Sequence, residues 1–109
     1  MKIIAHYKET LIEAIKNSHK WHDDAELLLC LDDYWKINTD AIVATVDPYD
    51  ETETSLSLSG KVFERVLDKY QIIDIIDNAR EQNPQCKDED LLQAFNFYYD
   101  NDAFVVWEN

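Results

Sequence analysis

The sequence has few of the residues that loosen or cross-link a chain. One glycine and two prolines in 109 residues leave little scope for flexible linkers, and a lone glycine excludes a glycine-rich phosphate loop. The two cysteines, Cys30 and Cys86, are far apart, which is typical of a reduced cytoplasmic protein rather than of a disulfide framework. No apolar run approaches the roughly 20 residues that span a bilayer. Polar residues soon interrupt the N-terminal segment, so we expect no signal peptide.

Basic residues are also scarce. Ten Lys and Arg stand against 23 Asp and Glu, giving a formal net charge of −13. Binding to nucleic acid or to an anionic membrane depends on cationic side chains, so we expect neither as a partner. An acidic surface favours a basic protein partner, chiefly through the association rate. Solubility alone is the competing explanation of the charge.

Apolar residues, in contrast, are plentiful. The chain is 46% hydrophobic and 12% aromatic, a composition that intrinsically disordered acidic segments lack. A chain of this length can bury one core without disulfides or a structural metal. We therefore expect a single folded domain over residues 1–109.

The first half of the chain predicts one helix and two strands. Apolar residues recur at helical spacing over 7–18, which predicts an amphipathic helix. Two short runs, 25–31 and 41–46, are rich in apolar or β-branched residues and predict strands. The residues between them predict a hairpin connection, and the Asp-Pro pair at 47–48 ends the second strand.

The second half predicts two longer helices. Residues 47–60 read as an irregular acidic loop, with a possible edge strand at 55–59 that could pair between chains, which leaves a monomer or a weak homodimer. Residues 62–67 fit a strand or a helix, and we favour a strand. Helices are predicted at 69–82 and 89–101, the latter capped by Asp88, and a terminal strand at 103–107.

This element order predicts an α+β domain. Its sheet is expected to be mainly antiparallel, with about four strands and with three helices packed on one side.

No combination of residues in the sequence predicts catalysis. His19 and His22 are three residues apart, but zinc usually needs four ligands and no cysteine or third histidine is near. Acidic pairs are so numerous that their proximity carries no information about general acid–base chemistry. All three histidines lie in the first 22 residues, so no base is placed beside either cysteine. We expect no enzyme, no metal and no cofactor.

Two acidic segments of the sequence contain aromatic residues. Tyr34 and Trp35 follow an Asp pair between the two predicted strands, and Tyr49 lies in the acidic loop. Aromatic side chains ringed by carboxylates are typical of protein-binding surfaces. For Trp35, a role in covering the core fits the sequence equally well.

Four segments of the C-terminal half resemble a family of small acidic bacterial proteins that includes immunity proteins of contact-dependent growth inhibition systems. They are IIDIIDNAR at 72–80, NP at 83–84, DLLQAF at 90–95 and YYDNDAF at 98–104. These are structural patterns on helix faces rather than catalytic signatures. With weaker similarity near the N-terminal helix, the resemblance covers about two thirds of the chain.

The resemblance implies a cytoplasmic protein that neutralises a cognate toxin domain, one that is basic and of nuclease type. A non-enzymatic regulatory or adaptor module with a basic partner is the alternative. No site is carried over from the family, so the candidate partner-binding residues come from the acidic and aromatic segments alone. They are Asp32, Asp33, Tyr34, Trp35, Asp47, Tyr49, Asp50, Glu51 and Glu53.

Overall fold

A curled, five-stranded antiparallel sheet forms the centre of the molecule. The computed structural model describes residues 2–50 and 55–107. The strands are β1 (Lys2–Thr10), β2 (Ala25–Leu29), β3 (Asp40–Asp47), β4 (Ser55–Leu58) and β5 (Lys61–Asp68). The helices are α1 (Leu11–Lys16), α2 (Lys69–Gln82) and α3 (Asp88–Asn101), with a 3₁₀ turn at Ser18–Lys20. The strand order is β1-β3-β2-β5-β4, and every neighbouring pair is antiparallel.

The central strand β2 is buried on both faces of the sheet. Leu27 and Leu29 point towards the helices, while Leu28 points to the opposite face. Successive strand residues alternate between faces, so the three consecutive leucines of β2 match a strand covered on both sides. The second face carries its own apolar cluster, in which Phe63 and Ile42 pack with Leu28.

The main core lies between the sheet and the helices. Each helix contributes fully buried side chains, with Leu11 from α1, Ile72 from α2 and Phe95 from α3 among them. Truncating a buried Phe of this kind to Ala typically costs about 3–5 kcal/mol. The prediction of an α+β fold with an antiparallel sheet is confirmed, with five strands instead of about four.

The prediction of a helix over 7–18 is wrong at its start. Residues 7–10 belong to β1, which pairs with β3 along most of its length, and the helix covers only Leu11–Lys16. The Thr10 hydroxyl accepts a hydrogen bond from the Glu13 amide at 3.4 Å and so caps the first turn. The helical spacing of residues 11–16 does correspond to a helix. Before Thr10, however, pairing with β3 determines the conformation.

The predicted terminal strand at 103–107 is also wrong. This segment is irregular, and the side chain of Gln82 supplies its hydrogen bonds. The Gln82 amide donates to the Val105 carbonyl at 2.7 Å and accepts from the Trp107 amide at 3.0 Å. One side-chain amide therefore satisfies backbone groups that would otherwise need a neighbouring strand.

The remaining elements lie close to their predicted positions. β4 falls within the expected edge strand, β5 confirms the strand interpretation of 62–67, and α2 has the predicted bounds. The cap of α3 differs, because Asp88 is the first helical residue and the Asp90 carboxylate accepts the Lys87 amide at 3.0 Å. Ser59 and Gly60 form a two-residue hairpin turn with φ values of 51° and 79°, a conformation that suits the single glycine.

Candidate functional site

The structure divides the predicted partner-binding residues between two ends of the sheet. Residues 32–35 lie in the β2–β3 connection, whereas Asp47, Tyr49 and Asp50 follow the far end of β3. Because β3 has eight residues, these groups are separated by about 23 Å along the strand. Glu51 and Glu53 lie outside the described residues. The seven described residues among the nine therefore form two separate clusters.

We name the two ends after their tyrosines. The Tyr34 end comprises residues 30–40, the hairpin turn at 59–61 and the second half of α3. The Tyr70 end comprises residues 22–26, 46–50 and 68–70.

Backbone hydrogen bonds hold the connection at the Tyr34 end in place. The amides of Leu11 and Ile12 donate to the carbonyls of Thr39 and Ile37, at 2.7 and 3.1 Å. The Thr39 hydroxyl accepts the Lys36 amide at 2.7 Å. A connection fixed in this way presents its side chains without a large loss of entropy on binding.

Trp35 packs against the main hydrophobic core. Its ring is half-buried against α3, with ring centroids 4.8 Å from Tyr99 and 6.0 Å from Phe95. Its indole N–H donates to the Cys30 carbonyl at 3.0 Å. Of the two roles that the sequence left open for Trp35, these contacts match the structural one.

Tyr34, next to it, points into solvent. Its side chain is 88% exposed, beside an open cleft of about 440 Å³ between the connection and α3. The cleft is lined by Leu31, Asp33, Tyr34, Trp35, Asn96 and Asp100. Because a tyrosine side chain has only two rotatable bonds, little conformational entropy is lost when a partner immobilises it.

Three carboxylates at the Tyr34 end, those of Asp32, Asp40 and Asp100, make no hydrogen bond or ion pair with any other residue that the structure describes. The Asp40 carboxylate still interacts electrostatically with the Lys61 ammonium, which leaves Asp32 and Asp100 as the two unpaired carboxylates. Asp33 differs, because it accepts the Lys61 ammonium at 3.1 Å. The Asp100 carboxylate and the rings of Tyr34 and Trp35 line the same cleft, a surface suited to an incoming cationic side chain.

The Tyr70 end is richer in carboxylates, but most of them have a partner. Asp23 accepts hydrogen bonds from the Tyr70 hydroxyl at 2.8 Å and from the Lys69 ammonium at 3.4 Å. Buried Glu26 lies 2.8 Å from the Arg65 guanidinium, and Asp68 caps α2. The Asp47 carboxylate accepts the Tyr49 amide at 3.0 Å, and Asp50 also has a contact.

Two carboxyl groups at the Tyr70 end have pKa values shifted in opposite directions. Hydrogen bonds from Tyr70 and Lys69 lower the pKa of Asp23 below its usual value of 3.8. Burial raises the pKa of Glu26 above its usual 4.5, and the neighbouring Arg65 cation opposes this effect only in part. The Asp23 shift therefore comes from hydrogen bonds at an exposed site, and the Glu26 shift comes from burial in the sheet.

The histidines of the predicted pair do not form a metal site with other residues. Within residues 2–50 and 55–107, no group of three or more His, Cys, Asp or Glu side chains could hold a metal ion. The His22 ring nitrogen Nδ1 instead accepts the Asp24 amide at 3.1 Å. Across the same ranges, no helix is long and apolar enough to cross a membrane.

Sequence reasoning missed the half of the cleft that belongs to α3. Asn96 and Asp100 are one helical turn apart and line the cleft opposite Leu31. The only sequence signal for them is their spacing beside Phe95, which is buried, and Tyr99, whose ring packs against Trp35. Nothing in the sequence places this turn beside residues 31–35.

The comparison with protein families gives one match. Residues 8–107 match the family described as "Domain of unknown function (DUF7716)". The chain belongs to this family. No curated protein and no solved structure matches the chain. The matched range begins within β1 and includes both ends of the sheet, so the surfaces described above lie within the family's domain.

Proposed function

We propose that the chain is an immunity protein that binds and neutralises a basic, nuclease-type toxin domain encoded beside it. The observation that carries the proposal is the surface at the Tyr34 end. There, an 88% exposed tyrosine borders a cleft of about 440 Å³ that also contains the unpaired carboxylate of Asp100.

The chemistry of this surface favours a cationic protein segment. An arginine or lysine of the partner could stack on the ring of Tyr34 while it pairs with Asp100. The side chains of Leu31 and Tyr99 are 47% and 40% exposed at the same end and supply apolar contact area. Tight binding needs such a desolvated centre, because rim charges mainly raise the association rate.

The net charge of −13 supports the same partner class. A nuclease presents cations where it binds phosphates, and an acidic protein is attracted to that surface. On this proposal the chain acts in the cytoplasm, as a monomer or a weak homodimer, and its partner is neither nucleic acid nor membrane. It inhibits by covering the toxin and performs no chemistry of its own.

The test is co-expression with the toxin domain encoded beside the chain, read out as growth and as co-purification. We expect the wild type to restore growth and to purify as a complex. The double variant Asp32→Lys/Asp100→Lys should lose both properties, because it reverses the two unpaired carboxylates. Asp74→Lys/Glu81→Lys, on the exposed side of α2, changes the net charge equally and should keep both.

The outcomes separate the candidate functions. Loss of rescue in both double variants would show that overall charge, and not the Tyr34 end, governs binding. Binding to the toxin domain without any rescue of growth would favour a regulatory or adaptor role over immunity. Absence of both binding and rescue in the wild type would contradict the proposal.

A further inference from the structure

Positive charge is concentrated in one part of this acidic chain. The first 22 residues contain four of the ten Lys and Arg residues and all three histidines, but only two glutamates. Three of these basic residues, Lys2, His6 and Lys8, lie on β1 with exposed side chains. The strand thus differs in charge from the remainder of the surface.

β1 is also an edge of the sheet. It has nine residues and, within the described ranges, hydrogen-bonds as a strand only to β3. The pairing is irregular between Ile3 and Ala5 but continues without a break from Ala5 to Thr10. A regular edge of this length offers a row of backbone donors and acceptors to another strand.

The side chains of β1 are arranged on two faces. His6 and Lys8 lie opposite Ala44 and Ile42, so they share the face that the helices do not cover. Tyr7 lies opposite Val43, on the helix-covered face, and is 46% exposed. An added strand would therefore meet a lysine and a histidine on the open face and an aromatic side chain on the other.

Charge decides between the possible occupants. A second copy paired antiparallel through β1 would bring the same basic side chains together across the twofold axis, and like charges on facing strands oppose pairing. Lysines and a bulge on an edge strand are known protections against self-association. The same lysines favour a strand with carboxylates.

We propose that the outer edge of β1 binds an extended acidic segment of another protein as a sixth strand of the sheet. Backbone hydrogen bonds supply the pairing, and carboxylates at alternate positions of the segment contact His6 and Lys8. This surface is distinct from the Tyr34 end and has the opposite charge, so the inference does not depend on the proposed function.

The test uses acetylated peptides with the full chain, followed by two-dimensional amide NMR. One peptide has four Glu-Val repeats, the second has four Lys-Val repeats, and the third is the Glu-Val peptide with alternate backbone amides methylated. We expect only the first to bind, with shifts and slowed amide exchange along β1. Equal binding of the Lys-Val or the methylated peptide, or shifts away from β1, would overturn the proposal.

Charge reversal supplies the matched control. Because an exposed ion pair changes affinity by at most about fivefold, Lys8→Glu should weaken Glu-Val binding by about tenfold as attraction becomes repulsion. Lys87→Glu changes the net charge equally at an exposed position just before α3 and should bind as the wild type does. A concentration-dependent dimer of the wild type that Lys8→Glu alters would instead identify a second copy as the occupant and overturn the proposal.

Discussion

The two ends of the sheet differ less in how many carboxylates they carry than in what those carboxylates contact. At the Tyr70 end, Asp23 binds Tyr70 and Lys69, and Glu26 pairs with Arg65. At the Tyr34 end, Asp32 and Asp100 have no partner among the described residues. A carboxylate that already has a partner must release it before it binds another cation, whereas a free one loses only water. The less acidic end is therefore the better candidate for binding.

Tyr34 and Trp35 extend this comparison to two neighbouring residues. Both are aromatic and both follow the same aspartates, but only Trp35 turns inwards onto Phe95 and Tyr99. The half-buried Trp35 therefore holds the connection, whereas the exposed Tyr34 is available to a partner.

The largest effect is expected from Trp35→Ala, on stability. The variant loses ring packing against α3 and the hydrogen bond to the Cys30 carbonyl, so the free energy of unfolding should fall by about 3 kcal/mol. Tyr34→Ala should change it by less than about 0.5 kcal/mol. Urea unfolding followed by circular dichroism measures both. Equal losses in the two variants would remove the distinction between them.

A smaller effect should follow from freeing a carboxylate at each end. Lys61→Met leaves Asp33 unpaired, and we expect it to raise affinity for the basic toxin domain by up to about fivefold. Tyr70→Phe removes one partner of Asp23 at the other end and should leave this affinity unchanged. Titration calorimetry with the purified domain compares the two. A larger gain for Tyr70→Phe would move the binding surface to the Tyr70 end.

The smallest predicted effects are changes of stability with pH. At the Tyr70 end, Asp23 and Glu26 change the stability in opposite directions. Because the folded pKa of Asp23 is lowered, its contribution to stability is complete above about pH 3.8 and is lost as the pH falls through the folded value. The folded pKa of Glu26 is raised instead. Its contribution to stability is therefore complete below about pH 4.5 and is lost as the pH rises through the folded pKa.

Urea unfolding of Asp23→Asn and Glu26→Gln, each compared with the wild type between pH 3 and pH 7, separates these contributions. The advantage of the wild type over Asp23→Asn should shrink towards pH 3. Its advantage over Glu26→Gln should instead grow as the solution is acidified from pH 7. Parallel curves for the two variants would contradict the assigned contacts.

The elements with a strong local pattern could be predicted from the sequence. Helix α2 has a regular apolar stripe and ends before Asn83 and Pro84, and β2 is a mainly apolar run between acidic pairs. The start of β1 could not be predicted, because its conformation depends on pairing with β3 more than 30 residues away. The segment after α3 depends in the same way on the side chain of Gln82.

The candidate site could be predicted only in part. The sequence identified Tyr34 and its neighbouring aspartates, because an aromatic residue in an acidic connection is a local feature. It combined them with Asp47 and Tyr49, since sequence alone does not reveal that the two connections leave opposite ends of β3. Asp100 was missed because the contact between α3 and the connection is tertiary.

The most direct test of the central claim compares two tyrosines that are equally available to solvent. Tyr34 is 88% exposed and Tyr49 is 93% exposed, but only Tyr34 borders the cleft with the unpaired Asp100. In calorimetric titration against the toxin domain, Tyr34→Ala should weaken binding by about 2 kcal/mol, or roughly thirtyfold. Tyr49→Ala should bind as the wild type does. The reverse pattern, or equal losses in both variants, would contradict the assignment of the binding surface to the Tyr34 end.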